Sequence, residues 1–416
     1  MYYGGETELR RTVLHSRHRE LGAKLVDFGG WEMPLWYRAG AVKEHMAVVT
    51  AAGLFDTSHM DVVHVGGSGA RAFLDRAFTR DISTLQPGRA GYGAFLGQNG
   101  DCIDDAIVYP IEEGRWSVVV NAGMGPEIAR HLRGLPGSPA EIGEPAERAT
   151  KIDLQGPKAQ EILAMILPDP AALFEKLPYF SFKGDFDFSK SAVRLRNGVP
   201  ALLSRTGYTG ELGFEIFLPL DRAGPVWDEL LALGGEKGLL PCGLAARDSL
   251  RTGAALALSH RDIGHWPYVN HPWRFALPYS SDGAFTKDFV GRAALEKAAP
   301  SARHTLAFAG YDPRRVEPAD ATALVGGKPA GMVTTIVTDM AIGRIGGGIV
   351  SIASPDRPEG WMPHGLACGF VRVDAHLSPG SIIVLKDGRR EIEVEIRDEI
   401  RPNRTARRKL ALNELP

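Results

Sequence analysis

The run Arg205-Thr206-Gly207-Tyr208-Thr209-Gly210-Glu211-Leu212-Gly213-Phe214-Glu215 puts a tyrosine hydroxyl, two carboxylates and three glycines directly before an apolar strand pattern, Phe214 to Leu218. Glycine weakens any regular element it sits in. Gly207, Gly210 and Gly213 therefore point to a place where backbone comes close to a flat ligand; a turn-rich hairpin without a ligand is the alternative. A glutamate such as Glu215 can accept two adjacent N–H donors at once, as it does from a guanidinium. A second chemical feature is the pair Asp104-Asp105 in the strand pattern Ile103 to Ile111. Neighbouring side chains on a strand point to opposite faces, so only one of the two carboxylates can enter a given pocket. The apolar residues Ile103, Ala106 and Val108 leave open which one. A pocket carboxylate stabilises developing positive charge and can shuttle a proton; a solvent-facing acidic pair is the other reading.

The elements that must hold these groups follow from periodicity. Residues 9 to 24 predict a short amphipathic helix, and Val26 to Pro34 a turn-rich entry. Ala39 to Ala52 predicts a helix with Val42, His45, Met46 and Val49 on one face. Asp61 to Gly66 alternates as a strand and Ala70 to Phe78 follows as a helix. Strands are expected around Tyr92 to Leu96, Ile103 to Ile111 and Arg115 to Asn121, with helices at Pro126 to Leu132 and Pro157 to Leu167. Strands interleaved with helices without a strict β-α-β period indicate an α+β fold. After about residue 290 short strand patterns separated by Gly, Pro and Asp turns take over, and these predict a small barrel or sandwich. Gly66 to Gly69 lacks the spacing of a dinucleotide site, and Gly343 to Gly348 fits a hairpin rather than a phosphate loop.

Composition bounds the function. A chain of 416 residues should hold two or three domains. With 44% hydrophobic and 24% charged residues it is an ordinary globular composition. A formal charge of -2 and a pI near 6.7 leave no nucleic-acid footprint. No window reaches the roughly 18 to 20 apolar residues of a membrane span, and the polar stretch Met1 to Arg19 has no signal-peptide core. Cys102, Cys242 and Cys368 are scattered and form no metal-ligand pair, so a cytoplasmic location without a metal is expected. The basic stretch Arg401, Arg404, Arg407, Arg408 and Lys409 is expected to be a solvated terminus.

Several segments together carry a resemblance. RTGYTGELGFE is similar to the folate-binding motif of the T-protein family, the tetrahydrofolate-dependent aminomethyltransferases of the glycine cleavage system. Phe28 to Pro34 resembles that family's FAGWEMP, Ala52 to Met60 its AGLFDVSHM, and Ile103 to Val108 its IDDLIV. Val119 to Ala122, Leu154 to Ala159 and Cys242 to Arg251 match further motifs in the same order. The resemblance implies a multidomain cloverleaf, two α/β lobes around a central folate pocket and a C-terminal β-barrel-like domain, here divided as 1–290 and 291–416. It implies Asp105 as the carboxylate beside the reacting region of tetrahydrofolate. It further implies Glu215 at the aminopyrimidine edge of the pterin, with Tyr92, Asn121, Tyr208 and Arg247 lining the same pocket. Glu211 matches as a structural residue. The implied reaction moves the aminomethyl carbon of lipoyl H-protein to tetrahydrofolate and releases ammonia.

The match breaks between Leu258 and Gly291. Where the family usually shows LYG-x-DI and then a glutamate-bearing segment, this chain has Leu258-Ser259-His260-Arg261-Asp262-Ile263, followed by His265, Trp266, His271 and Trp273. Plain packing, a pocket for a donor other than aminomethyl-lipoyl, and a metal site all stay open for this patch. A tetrahydrofolate-dependent demethylase taking a methyl group from a small S-, O- or N-methyl donor is the alternative function. A non-catalytic folate-binding relative would carry a K-G-C-Y-x-G-Q-E signature where this chain has RTGYTGELGFE.

Overall fold

The computed structural model describes residues 8–137, 141–143, 149–264, 266–268, 274–298 and 304–412. Three sheets carry it. In the first, strands run in the order Gly91–Leu96, Cys102–Glu112, Arg115–Val120, Asp61–Gly66 and Glu141–Ile142. One face is covered by the helices Ala70–Ala77 and Gly125–Gly134. Ala70, Phe73, Leu74 and Ala77 recur at helical spacing and are buried, as are Ile128, Ala129 and Leu132. Against them pack Val63, Val65, Ala106, Val108, Val118 and Val120.

The second sheet has six strands in the order Phe182–Lys183, Leu202–Ser204, Gly213–Pro219, Ala149–Gln155, Ala52–Asp56 and Leu239–Pro241. Its last pair is parallel and the others antiparallel. Helices Ala159–Met165 and Leu220–Gly234 close one side over Leu154, Phe214 and Ile216, the second helix burying Trp227 in the same core. The third sheet is a closed barrel in the order His304–Gly310, Leu366–Val373, Lys328–Asp339, Thr322–Val325, Ile382–Lys386 and Glu391–Ile396. Phe308, Val333, Val371 and Val394 fill it. The Gly343 to Gly348 stretch is a hairpin as expected, its strands Ile342–Ile345 and Gly348–Ser351 standing beside the barrel.

Three expectations need correction. The helix foreseen over residues 9 to 24 covers only His15–Glu20. It ends at Gly22, whose positive φ of 72 permits the turn, and the chain then enters the strand Lys24–Phe28, paired with Trp31–Trp36. Helix Ala41–Thr50 buries His45, Val48 and Val49 but leaves Val42 exposed. The basic stretch is solvated only in part: Arg407, Arg408 and Lys409 are exposed, but the residues before them are anchored. Arg401 is completely buried, ion-paired to Asp339 and Glu211, and Arg205 Nη2 donates to the carbonyls of Ala406 and Arg408. A cation bonded to buried carboxylates and carbonyls stays inside despite its charge. The terminal stretch thereby clamps the 205–215 segment to the barrel, and Glu211 is the structural anchor expected: its carboxylate accepts from Arg401 Nε at 3.2 Å and Thr405 Oγ1 at 2.6 Å.

Candidate active site

A cavity of about 1340 Å³ lies where the two lobes and the barrel meet, with lining from all three. Strand register selects the carboxylate that enters it. Asp104, Ala106 and Val108 share the helix-covered face of the first sheet, whereas Asp105 and Ile107 face the cavity. Tyr92 pairs with Ile107, so it is the diagonal neighbour of Asp105, and its hydroxyl donates to Asp105 Oδ2 at 2.8 Å. Asn121 follows the adjacent strand. Its Nδ2 donates to Asp105 Oδ1 and to Asp104 Oδ1, both at 2.7 Å, while its backbone N–H reaches Asp104 Oδ2 at 2.9 Å. Burial, and then the negative charge of Asp104, push the Asp105 carboxyl up to about 6, against the lowering hydrogen bonds. A carboxyl poised there can both take and return a proton near neutrality.

The departure from the family pattern lies against this pair. Residues Ser259–Ile263 make a single π-helical turn, an irregularity often tied to function. Asp262 secures it: its carboxylate accepts from Arg251, Thr334, Thr335 and the Leu258 N–H. The turn delivers Ser259 Oγ to 2.9 Å from Asp104 Oδ1 and His260 Nε2 to 3.3 Å from the same oxygen. His260 lines the cavity, and the hydrogen bond it donates to Asp104 raises its imidazole pKa above the ordinary value despite burial. Trp266 does not line the cavity; Arg372 of the barrel lies over its ring at 3.7 Å. His265, His271 and Trp273 lie outside the described residues. Among the described residues no group of His, Cys, Asp and Glu is placed to hold a metal.

Glu215, Lys151 and Asp153 share one face of the second sheet, because Glu215 pairs with Asp153 and Lys151 sits two residues before it. Lys151 Nζ is ion-paired to Glu215 Oε1, and Thr206 Oγ1 donates to Oε2 at 2.5 Å. Arg247 comes from the helix Leu244–Gly253 and donates to Asp153 Oδ2 at 2.8 Å, beneath the Tyr208 ring, whose centroid is 5.4 Å away. Arg251, one turn on, is buried and turned to Asp262, so the two arginines do not form one solvated face. The Tyr208 hydroxyl donates to the Ala257 carbonyl. Gly207 and Gly213 leave room for the amide of Gln155, which a Cβ at either would strike. Both glycines are thus required by a side chain of the fold, and Gly207 also lines the cavity. Lys151 and Asp153 belong to none of the motifs read from the sequence, and Ser259 was quoted there without a role. Lys151 and Asp153 carried a signal, since charges alternating with Ile152 and Leu154 in a buried strand require a polar partner.

Glu215→Gln should leave the thermal midpoint lowered and weaken binding of a reduced folate by about tenfold, the scale of one charge-assisted hydrogen bond. Isothermal titration checks this, and unchanged affinity would remove Glu215 from the binding site.

The model of the GCVT N-terminal domain matches residues 14–266. An aminomethyltransferase of Bacillus cereus (strain AH187) is 38% identical over 293 residues, 70% of this chain and 75% of that protein. One from Streptomyces coelicolor is 37% identical over 345 residues, 81% of this chain and 88% of that protein. The crystal structure of the glycine cleavage system aminomethyltransferase T from Bartonella henselae superposes with a TM-score of 0.75 at 27% identity, covering 94% of this chain and 97% of its own. With the family model spanning more than half of its length, the chain belongs to the GCVT family, the T-protein superfamily.

Proposed function

We propose that this folate-dependent one-carbon transferase is an aminomethyltransferase that moves the aminomethyl carbon of a lipoyl H-protein to tetrahydrofolate. The observation that carries this reading is Asp105, a cavity-facing carboxyl near neutrality held by Tyr92 and Asn121. In the net reaction the S–CH2 bond to the lipoyl sulfur and the C–N bond to the amino group break. Two C–N bonds to the folate form, and the products are dihydrolipoyl protein, ammonia and methylenetetrahydrofolate. Asp105 orients the nucleophilic nitrogen, accepts its proton and stabilises the cationic carbon as it transfers. Glu215, Tyr208 and Arg247 hold the folate. Arg80, Arg89 and Arg407 line the same cavity and suit the carboxylates of a folate tail.

The His260–Asp104 contact favours a second reading. An imidazole added beside the carboxylate pair suits a donor whose leaving group must be protonated, as in a demethylase acting on an S-, O- or N-methyl compound. Turnover with tetrahydrofolate and aminomethylated H-protein, followed as ammonia and methylenetetrahydrofolate, separates the two. Product supports the first; none, with tetrahydrofolate bound, transfers the assignment to methylated donors. Whichever donor is used, turnover should fall as pH drops through about 6, where Asp105 takes up a proton. His260, with Asp104, Asp105 and Glu127 facing it, should set a basic limb above the ordinary imidazole range. A profile flat from pH 5 to 7, on the scale of ordinary carboxyl and imidazole values near 4 and 6.5, would remove Asp105 as the base. No described helix is long and apolar enough to cross a membrane; a cytoplasmic site of action is part of this proposal.

A further inference from the structure

The 2-amino-4-oxopyrimidine edge of a pterin presents, in order, an acceptor at O4, a donor at N3–H and a donor at the 2-amino group. On the cavity face of the second sheet the chain presents a complementary row. Lys151 Nζ, a donor, is bound to Glu215 Oε1, and Thr206 Oγ1 occupies a lone pair of Oε2 at 2.5 Å on the other side. A carboxylate has about four lone-pair sites, so each Glu215 oxygen keeps one for a ligand. Lys151 has three N–H donors. Apart from Glu215, its partners are distant, Asp153 Oδ1 at 3.4 Å and the Met60 sulfur at 3.5 Å. Both Lys151 and Glu215 line the cavity, and both are almost wholly withdrawn from water.

Two N–H bonds from N3 and the 2-amino group to Oε1 and Oε2 leave O4 on the Oε1 side, where the Lys151 ammonium already stands. We infer that Lys151 is a specificity-determining residue, donating to the O4 of the pterin and making the site selective for 4-oxo over 4-amino pterins. The inference rests on the folate reading of the cavity. Its physical basis is the asymmetry of polar recognition. A 4-amino group would turn a donor toward a buried ammonium, leaving two donors face to face with no acceptor, and such mismatches discriminate far more strongly than a difference in size. The same ammonium explains how Glu215 stays buried without a ligand: the ion pair is in place before the folate arrives, so binding adds hydrogen bonds to an already compensated carboxylate.

The test compares folic acid with its 4-amino analogue, which carries an amino group at C4 and consequently lacks the N3–H, by isothermal titration on the full chain. The share of Lys151 is the part of the preference that Lys151→Met removes. The wild type is expected to bind the 4-oxo ligand at least about tenfold more tightly, the scale of one hydrogen bond to a charged group. Lys151→Met should weaken the 4-oxo ligand by a similar factor and narrow the gap between the two ligands by that factor, leaving the part that the N3–H contributes through Glu215. Equal affinities in the wild type, which need no variant to fold, would overturn the inference while leaving the folate reading intact. A Lys151→Met protein that keeps its preference undiminished would overturn it as well. Binding of neither ligand, nor of tetrahydrofolate, would remove the folate reading and this inference with it.

Discussion

Asp105→Asn is expected to lower turnover by roughly 10²- to 10⁴-fold, the contribution of a positioned acid–base group, while tetrahydrofolate binds within a few-fold of the wild type. The substitution conserves shape. The carbonyl of the introduced amide can still accept from Asn121 Nδ2, and its NH2 can donate to the Tyr92 oxygen in place of accepting from it. What disappears is the charge and the exchangeable proton of a carboxyl pushed up to about 6 by burial and by Asp104. Single-turnover rates together with a binding isotherm separate these effects. An equal loss in affinity and rate would make Asp105 a binding residue, and an unchanged rate would exclude it from the chemistry. The Asn121 amide binds both carboxylates, Asp104 Oδ1 and Asp105 Oδ1, so it keeps its place through Asp104 when Asp105 is replaced.

Arg401→Ala should destabilise the protein by about 3 to 5 kcal/mol, the cost of leaving buried charges uncompensated. Arg401 is the hub between three parts of the chain. It binds Asp339 Oδ2 at 2.6 Å at the end of a barrel strand, Glu211 in the 205–215 segment, and the carbonyls of Thr209 and Leu250. Its planar fork of donors is what serves these acceptors together, so Arg401→Lys should recover only part of the loss. Urea unfolding with an unchanged m-value is the measurement, and a loss below about 1 kcal/mol would reduce the cluster to a bystander. The acid dependence carries a sign. Burial would raise the Asp339 carboxyl, but the charges of Arg401 and His45 hold it well below the usual range. Asp339 thus contributes stability at neutral pH that is lost as pH falls below about 4, the ordinary carboxyl value. Arg401→Ala removes that contribution, so the gap between variant and wild type should narrow over the same acid range.

Much of the site was legible in order along the chain. Glu215 with Gly207 and Tyr208, Asp105, Asn121 and Arg247 all come to one cavity, and the barrel strands fall where turn residues bracket short apolar runs. These features depend on local spacing. Period-2 alternation sets which face a strand residue takes, and glycine and proline mark where elements end. The failures have local causes too. The first helix was drawn too long because an amphipathic pattern continues past Gly22, where the backbone turns left-handed and a strand begins. For Trp266 the sequence left packing, a donor pocket and a metal site open, and its ring lies under Arg372 of the barrel.

By itself the sequence determined the α+β character and the β-rich C-terminal third, since residue type and spacing carry that information, and its resemblance to a known family singled out residues that meet at the cavity. Only the tertiary structure decided which charge meets which. That Asp105 rather than Asp104 faces the cavity required the register of three strands and the helices covering the other face. That Lys151 stands beside Glu215, His260 beside Asp104, and Arg401 between Asp339 and Glu211 joins residues 64, 156, 62 and 190 positions apart. Electrostatic interactions depend on distance in space and on the exclusion of water. A linear order of residues specifies neither until the chain has folded.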